Sequence, residues 1–189
     1  MERLGIVCVD FDGTVLDFHE GIRRRLAGDG ITYYPHKVVD YNFKGDIGCT
    51  PEQIFKVMND PALYGMLPFF ENAEKALELL IASGDTVYGY TATVDNPDIE
   101  AGRIRLVESL HMTPKVFKGR KPPMEADALF DDCLGVHRTW VNAGTTARLY
   151  LIDAPHNQMR EENKDDPIWR HVVRFPNLYE AVKDYLNNR

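Results

Sequence analysis

The chain has 189 residues, of which 44% are hydrophobic and 27% charged, with a formal net charge of −7. That length supports one good core, or a core domain with a small insertion, and the negative balance argues against a nucleic-acid-coating surface while leaving room for a small anionic substrate. No apolar run approaches the ~20 residues of a membrane span, no secretory pattern opens the chain, and three cysteines without metal-type spacing, Cys8, Cys49 and Cys133, fit reduced thiols in a cytoplasmic protein.

The first element is carried by "GIVCVDFDGTVLD", residues 5–17. Its β-branched run from Ile6 to Val9 reads as a strand buried on both faces, and it runs straight into two aspartates, Asp10 and Asp12. Residues 17–70 then show helical, aromatic and turn-rich sequence with no second strand. A structureless loop of that length is improbable in a compact domain, so the segment reads as a small helical cap inserted after the first strand. "NAEKALELLIAS" follows, a helix with Ala73, Ala76, Leu77, Leu80 and Ile81 on one face and Gly84 placed to end it. "TVYGY" (86–90) is the second strand, and "NPDIEAGRIRLVESL" the next helix, with Asn96 as N-cap and Pro97 at its first position. "KVF" (115–117), "ALF" (128–130) and "RLYLI" (148–152) supply three more strands, "MREENKDDP" (159–167) a polar surface loop, and "LYEAVKDYLNN" a closing amphipathic helix. The alternation predicts an α/β fold with a doubly wound, mostly parallel sheet. Its core comprises residues 1–16 and 71–189, and its cap residues 17–70.

Ligands of open parallel sheets bind beyond the carboxyl ends of the strands. Those ends carry Asp10, Asp12, Gly13 and Thr14 after the first strand, Thr91, Ala92 and Thr93 after the second, and Asp131 and Asp132 after the fourth, with Lys121 just before it. Such carboxylates repel one another unless a cation sits among them, and an all-oxygen donor set favours Mg²⁺. A metal ion and a lysine together could offset the repulsion between an attacking carboxylate and a phosphate. One aspartate could then attack phosphorus while the other handles the leaving group's proton. The run Arg23, Arg24 and Arg25 reads as a solvated helix face that could also draw phosphorylated substrates inward.

In order and spacing, "DFDGT", a hydroxyl-bearing strand end, a lone lysine and an Asp-Asp pair resemble the four motifs of the haloacid dehalogenase-like phosphatases. Within them, "DFDGTVLDF", "KPPMEADALFDD" and "LIDAPHN" are most similar to the 5'(3')-deoxyribonucleotidases, including the ten residues from Lys121 to Asp131. The resemblance implies a haloacid dehalogenase-like core and a Mg²⁺-dependent phosphomonoesterase acting on nucleoside monophosphates through an aspartyl-phosphate. Asp10 would be the nucleophile, and Asp12 the general acid and then base, lending its backbone carbonyl to the metal. Thr91 would bind phosphoryl oxygens, and Lys121 would stabilise phosphate and nucleophile. Asp10, Asp12 and Asp132 would be the metal ligands, with Asp131 orienting a metal-bound water. Phe18, Tyr41 and Tyr64 in the cap, with Phe43 beside them, and Ala92 in the core would bind the substrate. His156 and Asn157 match the family's "HN" pair or simply cap their loop. Thr-Ala-Thr stands where the nucleotidases commonly show Thr-Ser, so the second phosphate-binding hydroxyl is either missing or supplied by Thr93. A phosphatase of another small phosphometabolite, such as a sugar phosphate, is the alternative within the fold; a non-enzymatic aspartate phospho-acceptor or nucleotide-binding protein is the alternative outside it. The expected partner is a small molecule, with neither a nucleic-acid polymer nor a membrane, and a homodimer is left open.

Overall fold

The computed structural model describes residues 4–40, 42–158 and 165–189. Six strands, β1 Ile6–Val9, β2 Thr86–Thr93, β3 Thr113–Lys118, β4 Ala128–Asp131, β5 Arg148–Ile152 and β6 Val172–Phe175, form one sheet in the order β3-β2-β1-β4-β5-β6. Every neighbouring pair runs parallel, so all the strand ends that can hold a ligand lie on one edge.

Successive side chains of a strand point to opposite faces, and β1 feeds both layers. Val7 and Val9 join Leu77, Leu80, Phe130 and Val182 in one buried cluster. Cys8 joins Tyr90, Leu129, Leu151 and Trp140 in the other. The first layer is covered by α4 Ala73–Ala82, α5 Pro97–Ser109 and α7 Leu178–Asn188, and the second by α6 Leu134–Asn142. The predicted helix punctuation is present: Gly84, at φ +84, follows α4, and the Asn96 side chain caps α5 by accepting from the Asp98 N–H at 3.0 Å. Two elements went unpredicted. β6 is a four-residue strand of which only Val172 is buried, and α6 buries a histidine and a tryptophan, His137 and Trp140, rather than an aliphatic stripe.

Between β1 and α4 lie three helices, α1 Phe18–Gly28, α2 Pro51–Met58 and α3 Pro61–Tyr64. They bury Ile22, Leu26, Ile54, Val57 and Leu63 among themselves and against the core. The chain leaves the core and returns to it through a short two-chain stem, in which the Asp17 N–H donates to Pro68 O at 2.8 Å and the Phe70 N–H to Val15 O at 3.0 Å. The Arg23 and Arg24 guanidinium groups pair with Glu20, and Arg25 pairs with Asp29 and with Asp60 at the start of α3. That run braces the cap surface and does not line the cavity described below. Tyr41 lies outside the described residues, as does most of the 159–167 loop.

Candidate active site

β1 ends one residue before Asp10, whose backbone N–H donates to Phe130 O at 2.9 Å and so aligns the ends of β1 and β4. The chain then coils tightly: the N–H groups of Val15 and Leu16 both donate to Phe11 O, at 2.9 and 2.8 Å. Gly13 sits in this coil at φ +88, and a Cβ there would fall inside the van der Waals shell of Asp132 Oδ2. Only glycine meets both demands.

Lys121 reaches into this corner from the β3–β4 connection. Its Nζ lies 2.7 Å from Asp10 Oδ1 and 2.6 Å from Asp131 Oδ2. The Tyr90 ring stands 5.6 Å below the ammonium, and the Tyr90 hydroxyl donates to the carbonyl of Pro122, next to Lys121. The other Asp131 oxygen accepts from the Cys133 N–H at 2.8 Å, so both oxygens of that carboxylate are engaged. Asp132 is fixed through its backbone, because the Asn157 amide donates to its carbonyl at 2.7 Å and to Ile152 O at 2.6 Å. His156 Nε2 lies 3.4 Å from Asp132 Oδ2.

The electrostatics follow from counting charges in a dry corner. Carboxylate oxygens of Asp10, Asp131 and Asp132 lie within 4.8 Å of one another. Burial pushes the Asp10 carboxyl up to about 6, with Lys121 opposing the rise and Asp131 adding to it. Asp132 is driven well above the ordinary carboxylate range by burial and then by the charges of Asp10 and Asp131. Burial alone would pull Lys121 down, but its two carboxylates hold it well above the ordinary lysine range. Burial lowers the pKa values of His156 and His19, the latter to about 4, so neither supplies a compensating positive charge. Were all three carboxylates ionised, one ammonium would leave two negative charges unbalanced, which is why their pKa values rise. An all-oxygen donor set with that excess suits a hard divalent cation such as Mg²⁺.

Asp12 lies apart from this cluster. Its Oδ2 pairs with Arg103, a fully buried residue of α5, while its Oδ1 has no hydrogen-bond partner among the described residues. Its side chain therefore serves a different purpose from the other three aspartates. Thr91 is buried at the end of β2, with its hydroxyl 3.4 Å from the Ala92 carbonyl. The Thr93 hydroxyl has no partner among the described residues and borders the cavity. Its oxygen is nevertheless buried, so neither hydroxyl is freely exposed.

A cavity of about 370 Å³ opens over Asp12, Thr93 and Asp132, while Asp10, Thr91, Lys121 and Asp131 lie behind its lining. Asp12, Gly13, Ala92, Thr93, Asp132 and His156 form its floor, and Phe18, Phe43, Ile54, Phe55, Met58 and Tyr64 form an apolar cap wall. His19, Asp40 and Asn42 supply its polar corner. Of the predicted substrate-binding residues, Phe18, Tyr64 and Ala92 all line this space. Arg103, His19 and the α2 residues went unnoticed in the sequence. Arg103 had a readable signal: Ile99, Arg103 and Val107 are the buried residues of α5, at i, i+4 and i+8, so a cation stands on the apolar stripe.

No protein-family model and no curated protein matches the sequence. Solved structures do match its fold. A Thermotoga maritima protein assigned as a β-phosphoglucomutase superposes with a TM-score of 0.58 at 15% identity, over 98% of this chain and 100% of that one. A predicted phosphoglycolate phosphatase from Haemophilus somnus 129pt gives 0.55 at 13% identity, over 98% and 99%. CbbY from Rhodobacter sphaeroides, in complex with phosphate, gives 0.55 at 13% identity, over 96% and 100%. At these identities the likeness establishes the fold alone: a parallel α/β core with a helical insertion after its first strand.

Proposed function

We propose that the protein is a phosphomonoesterase that moves the phosphoryl group of a small phosphorylated metabolite to Asp10 and then to water. The arrangement of Lys121 between Asp10 and Asp131, with Asp132 alongside, carries this reading. It gathers a nucleophile, a fixed cation and a divalent-cation site at one strand edge, which is what phosphoryl transfer requires of a protein.

Asp10 presents a carboxylate whose direction is set by Lys121, and the same ammonium faces the anionic oxygens of an incoming phosphoryl group. Thr91, at the end of β2, donates to one of those oxygens, and Thr93 supplies the second hydroxyl. A bond forms between the Asp10 oxygen and phosphorus as the ester oxygen departs, taking a proton from Asp12. Water then attacks the aspartyl-phosphate and gives its proton to Asp12, and inorganic phosphate leaves. Asp10 and Asp132 would hold Mg²⁺, with the Asp12 carbonyl contributing from the backbone. Asp131, both oxygens already engaged, would orient that site. When bound, the ion supplies positive charge against the phosphoryl oxygens.

The names of the similar structures favour a phosphorylated sugar or small acid as substrate. The apolar wall of Phe18, Phe43, Phe55 and Tyr64 favours a second reading, a nucleoside monophosphate whose base stacks in the cap. A panel of sugar phosphates, phosphoglycolate and nucleoside monophosphates, assayed for phosphate release with Mg²⁺, decides between them. Turnover confined to one group selects that reading. Loss of turnover in Asp10→Asn is expected for either, and no release from any ester by the native chain overturns both.

A further inference from the structure

Arg103 is buried completely, in a position where an aliphatic residue would continue the stripe of α5. Taking a guanidinium out of water is costly, and a buried ion pair is seldom the most stabilising choice for such a site. Its Nη2 pairs with Asp12 Oδ2, while Nε and Nη1 have no hydrogen-bond partner among the described residues. One face of the guanidinium is covered by the Tyr64 ring, with Cζ 4.4 Å from the ring centroid. Tyr64 is itself held, since its hydroxyl donates to Met58 O at 2.8 Å and its ring lies 6.4 Å from that of Phe18. A planar cation is thus sandwiched at the joint between core and cap, a placement that lysine could not reproduce.

The consequence falls on Asp12. With Oδ2 paired to Arg103 and Oδ1 buried without a partner among the described residues, the carboxylate is held from the α5 side, on a residue that lines the cavity and keeps 22% of its side chain exposed. We propose that Arg103 is a positioning residue: it fixes the Asp12 carboxyl at the cavity floor, where that carboxyl exchanges the proton of the leaving group, and Tyr64 makes the alignment depend on the seating of the cap. The assignment rests on the phosphomonoesterase reading above.

Leaving-group dependence separates this role from a merely structural one. A nitrophenolate departs from phosphorus without help, whereas an alkoxide needs a proton as it leaves. The rate of phosphoenzyme formation, measured in rapid-mixing experiments with Mg²⁺, is compared for p-nitrophenyl phosphate and an alkyl phosphate. Arg103→Met is expected to slow the alkyl ester about 10²-fold while slowing the nitrophenyl ester by less than about threefold, with KM little changed. Arg103→Lys should recover part of the alkyl rate, and Tyr64→Leu should show the same selectivity in weaker form. If Arg103→Met does not fold, those two variants carry the comparison. In an Asp12→Asn background, Arg103→Met should add no further selectivity. Equal slowing of both esters, or extra selectivity in that background, overturns the proposal. A native chain that forms no phosphoenzyme, or an Asp10→Asn variant that still does, fails the enzymatic reading first and takes this assignment with it.

Discussion

Gly13 and Asp132 occupy one another's space: the position a side chain would take at residue 13 is filled by the Asp132 carboxylate, across the ends of β1 and β4. The loop that carries Asp12 and the strand end that carries Asp131 and Asp132 are thereby packed as a single surface.

Gly13→Ala is expected to lose on both counts, the backbone at φ +88 and the clash with Asp132. The stability cost should be about 1–3 kcal/mol, and phosphatase turnover should fall at least ~10-fold because Asp132 is displaced. Urea unfolding and initial rates measure the two effects. A variant with native activity would show that the close approach is unimportant.

Lys121→Met keeps the volume and removes the ammonium, leaving Asp10 and Asp131 buried without their shared cation. Breaking a buried pair in this way costs about 3–5 kcal/mol. The loss at pH 7 should shrink toward pH 4.5, where the orphaned carboxylates take up protons, and turnover should be lost. Denaturant midpoints of both proteins at the two pH values provide the test, and a pH-independent loss would refute the charge argument.

Asp132→Asn removes one of three crowded carboxylates, and with it part of the repulsion that drives Asp132 well above its usual range. In metal-free buffer this variant should be about 1–3 kcal/mol more stable than the native chain. Added Mg²⁺ should raise the thermal midpoint of the native chain but not of the variant. Calorimetry with and without Mg²⁺ reads both effects. Equal Mg²⁺ shifts would move the ion away from Asp132.

The pH dependence of stability follows from Asp10, whose carboxyl rises from 3.8 to about 6 on folding, chiefly through burial. Between those values the folded protein keeps a proton that the unfolded chain has released. Stability from this group is therefore greatest below pH 4, declines as pH rises toward 6 and is flat above. The decline amounts to about 3 kcal/mol. The stability of metal-free Asp10→Asn relative to the native chain should grow by that amount from pH 4 to pH 7, as followed by urea titration. A difference that shrinks with pH would reverse the sign and exclude the raised carboxyl.

The strands of the central sheet were legible because β-branched and aromatic runs such as Ile6–Val9 and Arg148–Ile152 are buried on both faces, and that burial writes itself into composition. β6 was not, since a four-residue edge strand with exposed Val173 carries too little apolar pattern. α6 hid for another reason: its buried His137 is held by a hydrogen bond to Asp131 O at 3.0 Å, not by hydrophobicity. The convergence of Asp10, Lys121 and the Asp-Asp pair was readable from their places beside the strand ends. The Asp12–Arg103 pair joins residues 91 positions apart, and no local pattern announces a contact made only once α5 has docked.

The two-chain stem at residues 15–17 and 68–70 divides labour along the sequence. On the reading proposed above, Asp10, Asp12 and Asp132 sit at strand ends of the sheet, whereas the apolar wall that would meet the rest of the substrate comes from the stretch hung on that stem. Apart from Tyr64, whose ring stacks on Arg103, substitutions in that wall are expected to retune which alcohol is accepted without rebuilding a catalyst.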